Sequence, residues 1–225
     1  MVCSAILNRR GTALLAVFSA AFFGMLIAPA RAVEPVSEWR MHGGGAQHTG
    51  EIEVTLGNAA PVKLWDWSHN MTTAIQEVCV GGGRVFVTPY VRFNPTMIFA
   101  FNAVTGEPLW EREFPPNANS ITPPSYHAGK VLFQRGNHGG DTQLWCLQAG
   151  TGATVWESPF GTQWERYESP TIADGKIFIN GGSYGGMYGF DFDTGEELFF
   201  HGLEQEDGWT PTVYNGKIAP LRCRN

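Results

Sequence analysis

From residue 75 onward, apolar runs of five to eight residues alternate with clusters of Gly, Pro, Asn and Asp. The runs are rich in Val, Ile, Phe and Trp, and helical periodicity is almost absent, so the pattern reads as all-β. Three successive units each predict four strands, A to D. The first unit has A at 75–80, B "RVFVTPY" 84–90, C "MIFAFNA" 97–103 and D "EPLWEREF" 107–114. The second has A at 121–127, B "KVLFQR" 130–135, C "QLWCLQA" 143–149 and D "ATVWES" 153–158. The third has A at 168–173, B "KIFIN" 176–180, C "MYGFDF" 187–192 and D "EELFFH" 196–201. A fourth begins with "TPTVYNGKIAPLRC", which supplies strands A and B only.

Independent landmarks share this period, which is the mark of a repeat architecture. Thr105-Gly106, Thr151-Gly152 and Thr194-Gly195 are spaced 46 and 43 residues apart. Gly83-Arg84, Gly129-Lys130, Gly175-Lys176 and Gly216-Lys217 follow at 46, 46 and 41. Pro124, Pro170 and Pro211 each stand five residues before one of these glycines. The Thr-Gly pair falls between strands C and D, where a type I turn followed by a left-handed Gly closes a hairpin. Trp110 and Trp156 follow in strand D, with Phe199 in that place in the third unit. A large ring at a fixed height would cover the neighbouring unit. A lone four-stranded unit cannot bury both faces, so the units must pack in series. Radial packing of such sheets with a 40–50 residue period gives a β-propeller, here with about three full blades and partial ones.

The first 32 residues do not join this pattern. Arg9 and Arg10 precede the apolar stretch "TALLAVFSAAFFGMLI" (12–27), and Ala30-Arg31-Ala32 forms a small-x-small site. This predicts a secretory signal peptide at 1–32 and a mature chain at 33–225 that is periplasmic or secreted. The apolar stretch is shorter than the ~20 residues that span a bilayer, so no integral membrane segment is expected after cleavage. Cleavage would remove three of the 15 basic residues and no acid, leaving 12 against 21 and a net charge of −9. That balance argues against nucleic acid or anionic membrane as a partner. Cys79, Cys146 and Cys223 are odd in number and far apart, so no disulfide framework is expected.

The segment "AFNAVTGEPLW" (100–110) and its copies "CLQAGTGATVW" and "GFDFDTGEELF" resemble a known docking motif. It is the Ala-x-Asp-x-x-Thr-Gly-x-x-x-Trp motif of pyrroloquinoline-quinone-like (PQQ-like) propeller repeats. Asn102, Gln148 and Asp191 occupy the Asp position, so only the third copy keeps the acid. "WRMHGGGAQHTG" (39–50) and "PVKLWDW" (61–67) look like the family's opening, where a lone D strand carrying Trp65 completes the last blade. The resemblance covers about 39–225 and implies the fold rather than the function. Family propellers have seven or eight blades, so the chain is expected to be a C-terminally incomplete member.

The function expected is an exported, non-catalytic binding or scaffold module for a protein or glycan. The family includes a periplasmic scaffold of outer-membrane protein assembly. The alternative is a fragment of a PQQ-dependent quinoprotein dehydrogenase. The resemblance implies that such enzymes hold the quinone with an adjacent Cys-Cys ring disulfide and a calcium-binding acidic set. No two cysteines here are adjacent and no Cys-x-x-Cys-His is present, so no cofactor is expected, with PQQ and calcium confined to the alternative. "GGSYG" (181–185) matches Gly-x-Ser-x-Gly around Ser183, but a strand follows where a nucleophile elbow needs a helix. No HExxH or CxxC zinc pattern occurs. Neither a catalytic nor a metal-ligating residue is therefore assigned. Thr105, Gly106, Trp110, Thr151, Gly152, Trp156, Thr194 and Gly195 are assigned to structural docking. The loops "YVRFNPT" (90–96), "RGNHGGD" (135–141) and "TQWERYE" (162–168) would gather at one end, with Trp164, Arg166, His138 and Trp209 as the binding-face set.

Overall fold

The computed structural model describes residues 38–51, 60, 62–69, 74–90, 96–115, 118, 120–136, 141–162, 169–181, 185–204 and 209–220. All of them lie in one unit, Glu34–Asn225. The fold is all-β. The first sheet is β1 (Ala74–Gly81), β2 (Arg84–Tyr90), β3 (Met97–Asn102) and β4 (Pro108–Glu113), in that order and antiparallel. The second holds β5 (Ser120–Ile121), β6 (Ser125–His127), β7 (Lys130–Gly136), β8 (Asp141–Gln148) and β9 (Thr154–Gly161). The third is β10 (Thr171–Ala173), β11 (Lys176–Asn180), β12 (Met187–Asp191) and β13 (Glu197–His201). β14 (Thr212–Tyr214) and β15 (Lys217–Ala219) start a fourth.

The strand order is the sequence order, so each sheet is a meander and each is one blade. The A strand of the second blade differs from expectation. It is split into β5 and β6, both paired to β7, because Pro123 and Pro124 between them have no N–H to give the ladder. The expected lone D strand at 61–67 also differs: residues 62–69 are assigned to no strand. Strand D needs a strand C beside it, and among the described residues none is paired to this segment.

The core lies between blades rather than within them. Phe86, Ile98 and Phe114 of the first blade pack with Val131, Phe133, Trp145 and Leu147 of the second. The other face of the second blade, Leu132, Leu144 and Cys146, packs with Ile177, Ile179 and Phe190 of the third. Strands β7 and β8 thus put apolar residues on both faces, which is why the sequence shows continuous apolar runs there. Strand D is the outer edge of each sheet and is mostly exposed, with alternate residues half-buried and, in the second blade, Phe160 buried in the core.

Candidate functional site

The ends of the blades have different chemistry. At one end lie the A–B and C–D turns. Gly106, Gly152 and Gly195 have φ of +72°, +71° and +75°, the left-handed conformation that the Thr-Gly pairs predict. Each accepts the same local pattern, with Gly152 N–H donating to the Gln148 carbonyl at 2.8 Å and Gly195 N–H to Asp191 at 3.0 Å. The Thr hydroxyl oxygens accept from the backbone N–H two residues on, at 3.3, 3.3 and 3.2 Å for Thr105, Thr151 and Thr194. Asn102 Oδ1 accepts from the N–H groups of Val104 and Thr105 at 2.9 and 3.0 Å. Asp191 Oδ1 does the same for Asp193 and Thr194, and these hydrogen bonds hold its carboxyl below the usual range. Gln148, one methylene longer, instead accepts from the Thr151 hydroxyl at 3.2 Å.

The aromatic rings then dock on these glycines. A Cβ on Gly106 would lie 2.6 Å from Trp65, one on Gly152 2.8 Å from Trp110, and one on Gly195 2.5 Å from Trp156. Trp65 Nε1 donates to the Ala103 carbonyl at 3.1 Å and Trp110 Nε1 to Ala149 at 2.9 Å. Two residues beyond the Trp, Arg112 donates to the Gly152 carbonyl at 3.0 Å and Ser158 to Gly195 at 2.5 Å. Trp110 with Thr151-Gly152 and Trp156 with Thr194-Gly195 therefore stand at junctions between blades, while Thr105-Gly106 meets Trp65 of the segment 62–69. Trp110 and Trp156 are half-buried, packed at the margins of the inter-blade cores.

At the other end, polar side chains lace the blades together below the long connections. Arg135, only 3% exposed, donates from Nε to Thr96 Oγ1 at 2.7 Å and from Nη2 to the Pro115 carbonyl at 2.8 Å. Its guanidinium lies 4.6 Å from the Phe114 ring centre and 5.8 Å from that of Trp145. Burial and the nearby Arg112 lower its pKa to about 10. Thr88 Oγ1 donates to the Thr122 carbonyl at 2.8 Å, Tyr188 to Gly161 at 3.0 Å, and Thr162 to Gly181. Asn180 Nδ2 donates to the Trp209 carbonyl at 3.1 Å.

Of the binding-face set, His138, Trp164 and Arg166 lie outside the described residues, as does Ser183. Trp209 is a correction: it is 7% exposed and so buries its ring instead of presenting it. Its place just before Thr210 and Pro211 puts it where the chain turns into the fourth blade. A bulky apolar ring there is drawn inward.

A second cluster was not read from the sequence. The segment 38–50 crosses the A strands of successive blades. Val80 N–H donates to the Trp39 carbonyl at 2.7 Å, Tyr126 N–H to Arg40 at 2.7 Å, and Val213 N–H to Ala46 at 2.8 Å. His42 N–H donates to Ser169 Oγ at 2.7 Å. Glu77 receives Trp39 Nε1 at 3.2 Å and faces His42 Nδ1 at 3.0 Å. Burial opposes ionisation of Glu77, but the His42 and Trp39 hydrogen bonds outweigh it and lower its pKa. His48 Nε2 meets Thr171 Oγ1 at 3.1 Å and Nδ1 meets Thr212 Oγ1 at 3.3 Å. Thr171 already donates to the Pro211 carbonyl at 2.6 Å, so Nε2 is the protonated nitrogen. Desolvation, then the His42 charge, push the His48 pKa down to about 4, with Glu77 opposing. A single acid inside the run "QEVCV" was the sequence signal for Glu77.

Serial four-stranded sheets locked by Trp on Thr-Gly turns define a β-propeller of PQQ-like repeats. Residues 96–210, just over half of the chain, match the family model described as outer membrane protein assembly factor BamB, and the chain belongs to that family. Among solved structures, BamB from Moraxella catarrhalis is 22% identical with a TM-score of 0.49, over 62% of this chain and 40% of that one. Quinohemoprotein alcohol dehydrogenase from Comamonas testosteroni is 23% identical with a TM-score of 0.54, over 72% of this chain and 27% of that one. The computationally designed Ika4 protein is 16% identical with a TM-score of 0.56, over 72% of this chain and 92% of that one. These likenesses concern the fold alone. The chain spans 40% or less of the length of the first two natural relatives named. No curated protein matches the chain.

Proposed function

We propose that this chain acts as an exported, non-catalytic β-propeller module that binds a protein partner, or a glycan, at its loop-bearing end. The observation that carries the reading is the division of labour between the ends. The docking Trp residues and Thr-Gly turns are committed to blade junctions at one end. The other end is laced by Arg135, Thr162, Tyr188 and Asn180, which gives its long connections fixed roots. Loops on such a scaffold are where recognition is usually placed. Membership of a family described by an assembly factor agrees with a protein partner and with export through the signal peptide at 1–32.

The quinoprotein alternative draws on the fold shared with quinohemoprotein alcohol dehydrogenase. The residues described here do not fit the quinone support that the repeat family's enzymes use. Cys79 and Cys146 are buried in separate inter-blade cores. Burial, followed by the charges of Glu77 and Glu38, raises the Cys79 thiol pKa well above its usual range. Burial pushes the Cys146 thiol up to about 12. Neither is a partner for a vicinal ring disulfide.

The test has two arms. Periplasmic extract is passed over immobilised protein and over a Trp164→Ala, Arg166→Ala variant, and retained proteins and glycans are compared. Loss of a retained species in the variant, with unchanged melting, supports the reading. In the second arm, PQQ and calcium are added and dye reduction with primary alcohols or aldoses is assayed. Turnover above a metal-free control would reverse it in favour of the dehydrogenase.

A further inference from the structure

The segment 38–50 is a strap across the A strands, and its two halves are tied differently. In the first half, the Trp39 and Arg40 carbonyls accept N–H groups from β1 and β6, and His42 N–H donates to Ser169. Glu77 of β1 grips the same half, through Trp39 Nε1, His42 Nδ1 and the Gly43 backbone. The second half is the turn 45–48, closed on itself by the His48 N–H donating to the Gly45 carbonyl at 2.9 Å. It meets the third and fourth blades through the Ala46 carbonyl, which accepts from Val213 N–H, and through the two ring nitrogens of His48. The Ala46 methyl packs at the margin of the core.

Glycine flanks this turn on both sides. A Cβ on Gly45 or Gly50 would meet nothing within 4 Å, so the backbone there has room to swing. The base of the loop is held by Gly50 N–H on the Gly43 carbonyl at 3.0 Å, which leaves the tip to move as one piece. His48 itself has φ of +51°, a left-handed conformation that is uncommon for a residue with a side chain. Such a conformation persists where surrounding contacts impose it, and here they are the contacts of the ring. Nε2–H donates to Thr171 of β10 at 3.1 Å, and Nδ1 accepts from Thr212 of β14 at 3.3 Å. A second proton, on Nδ1, would take the acceptor away from the Thr212 hydroxyl and place a charge in a half-buried seat. The charged and titratable groups facing that seat are the His42 ring, edge-on at 5.3 Å, and Glu77 of β1; β10 and β14 offer the ring neutral threonines. Desolvation and His42 oppose the charge, and Glu77, already engaged by His42 and Trp39, only partly offsets them.

We propose that the turn 45–48 is an acid-released latch: protonation of His48 swings it off the third and fourth blades about its flanking glycines, while residues 39–43 stay bound. Once released, the His48 ring is solvated and its backbone is free to leave the left-handed region. The Val213 N–H loses its acceptor, and the A strands of the third and fourth blades lose the side chain that bridges them. Acid thereby loosens one blade junction before any blade unfolds. The latch requires no binding partner and so goes beyond the proposed function.

The experiment is residue-resolved amide hydrogen exchange on the full chain between about pH 7.5 and about pH 5, with intrinsic exchange rates divided out. Protection of the Val213 N–H should fall about tenfold over this interval, the full linkage effect being reduced because the ring is partly solvated. The Val80 and Tyr126 N–H groups, which donate to the first half of the strap, and the amides inside β7 should change by about twofold at most. In His48→Gln, whose amide donates and accepts but does not titrate, Val213 protection should be level across the interval. Equal losses at Val80, Tyr126 and Val213 would overturn the proposal, because the whole strap or the whole fold would then be opening. Val213 protection that ignores pH in the parent chain would overturn it too, as would a pH response that survives in His48→Gln. The first two of these outcomes are read on the parent chain and hold even where the variant is poorly folded.

Discussion

The Trp110 indole donates to the Ala149 carbonyl at 2.9 Å while its ring covers Gly152 on the same neighbouring hairpin. One side chain thus reads both the conformation and the backbone of the next blade. The equivalent Trp156 covers Gly195, yet its buried Nε1 has no acceptor. Lys130 has instead drawn its ammonium to 3.4 Å from the Phe192 carbonyl, the counterpart of Ala149.

That difference separates two otherwise equal substitutions. Trp110→Phe loses a hydrogen bond and leaves the Ala149 carbonyl short of a donor, and should cost about 1–3 kcal/mol. Trp156→Phe removes a buried donor that is already unpaired, so it should cost about 1 kcal/mol less than the first change. Urea denaturation of both variants checks the order, and equal losses would contradict it. Trp→Ala at either place should cost roughly 3–5 kcal/mol, as for other packed aromatics.

Glycine at the docking turns is required twice over. Gly152→Ala meets both a left-handed φ of +71° and a Trp110 atom 2.8 Å from the new Cβ. Gly129→Ala meets only the left-handed φ, +79°, with nothing within 4 Å. The second should cost about 1–2 kcal/mol and the first about 2–3 kcal/mol more, from backbone strain and overpacking respectively. Denaturation midpoints at constant slope would measure the gap.

Ala128 occupies the first turn position of the second blade at φ +46°, beside Gly129. Asp174 and Asn215 hold the same place in the next two units, and they tolerate this region better than Ala does. Ala128→Asn should therefore stabilise the fold by about 0.5–1 kcal/mol. Thermal melting that falls instead of rising would refute it.

The repeat was legible because its landmarks carry backbone requirements. Thr-Gly and Gly-basic pairs report left-handed turns, so the B strands at 84–90 and 176–180 were placed to the residue. The proline-broken A strand was harder, since "SITPPSYH" holds enough apolar residues to read as one element. The Thr-Gly turns carry the same backbone requirement, and Gly106, Gly152 and Gly195 are all left-handed. Trp209 was misread because its loop position says nothing about which way the ring turns. The Glu77–His42 and His48–Thr171 contacts join residues 35 and 123 apart, and no local pattern encodes such pairing.

Those long-range contacts make stability depend on acid. His48 has an ordinary pKa of 6.5 and one of about 4 in the fold, so the fold favours its neutral form. The unfolded chain then binds more protons between these values, and stability is lost as pH falls from 6.5 towards 4. The loss should be about 1–2 kcal/mol, because the ring is partly solvated and screening reduces the full effect of the shift. Groups facing His48 act in the same region. His42 disfavours its protonation, and Glu77, whose own pKa is lowered, favours it; Glu77 contributes its separate loss only as pH falls below about 4.5. His48→Gln keeps a donor and an acceptor for Thr171 and Thr212 but cannot titrate. Its denaturation midpoint should be flatter between pH 6.5 and 4 than that of the parent chain, so the two curves run closest above pH 6.5 and separate as the pH falls towards 4. Parallel curves across that interval would show that His48 is not the group that responds.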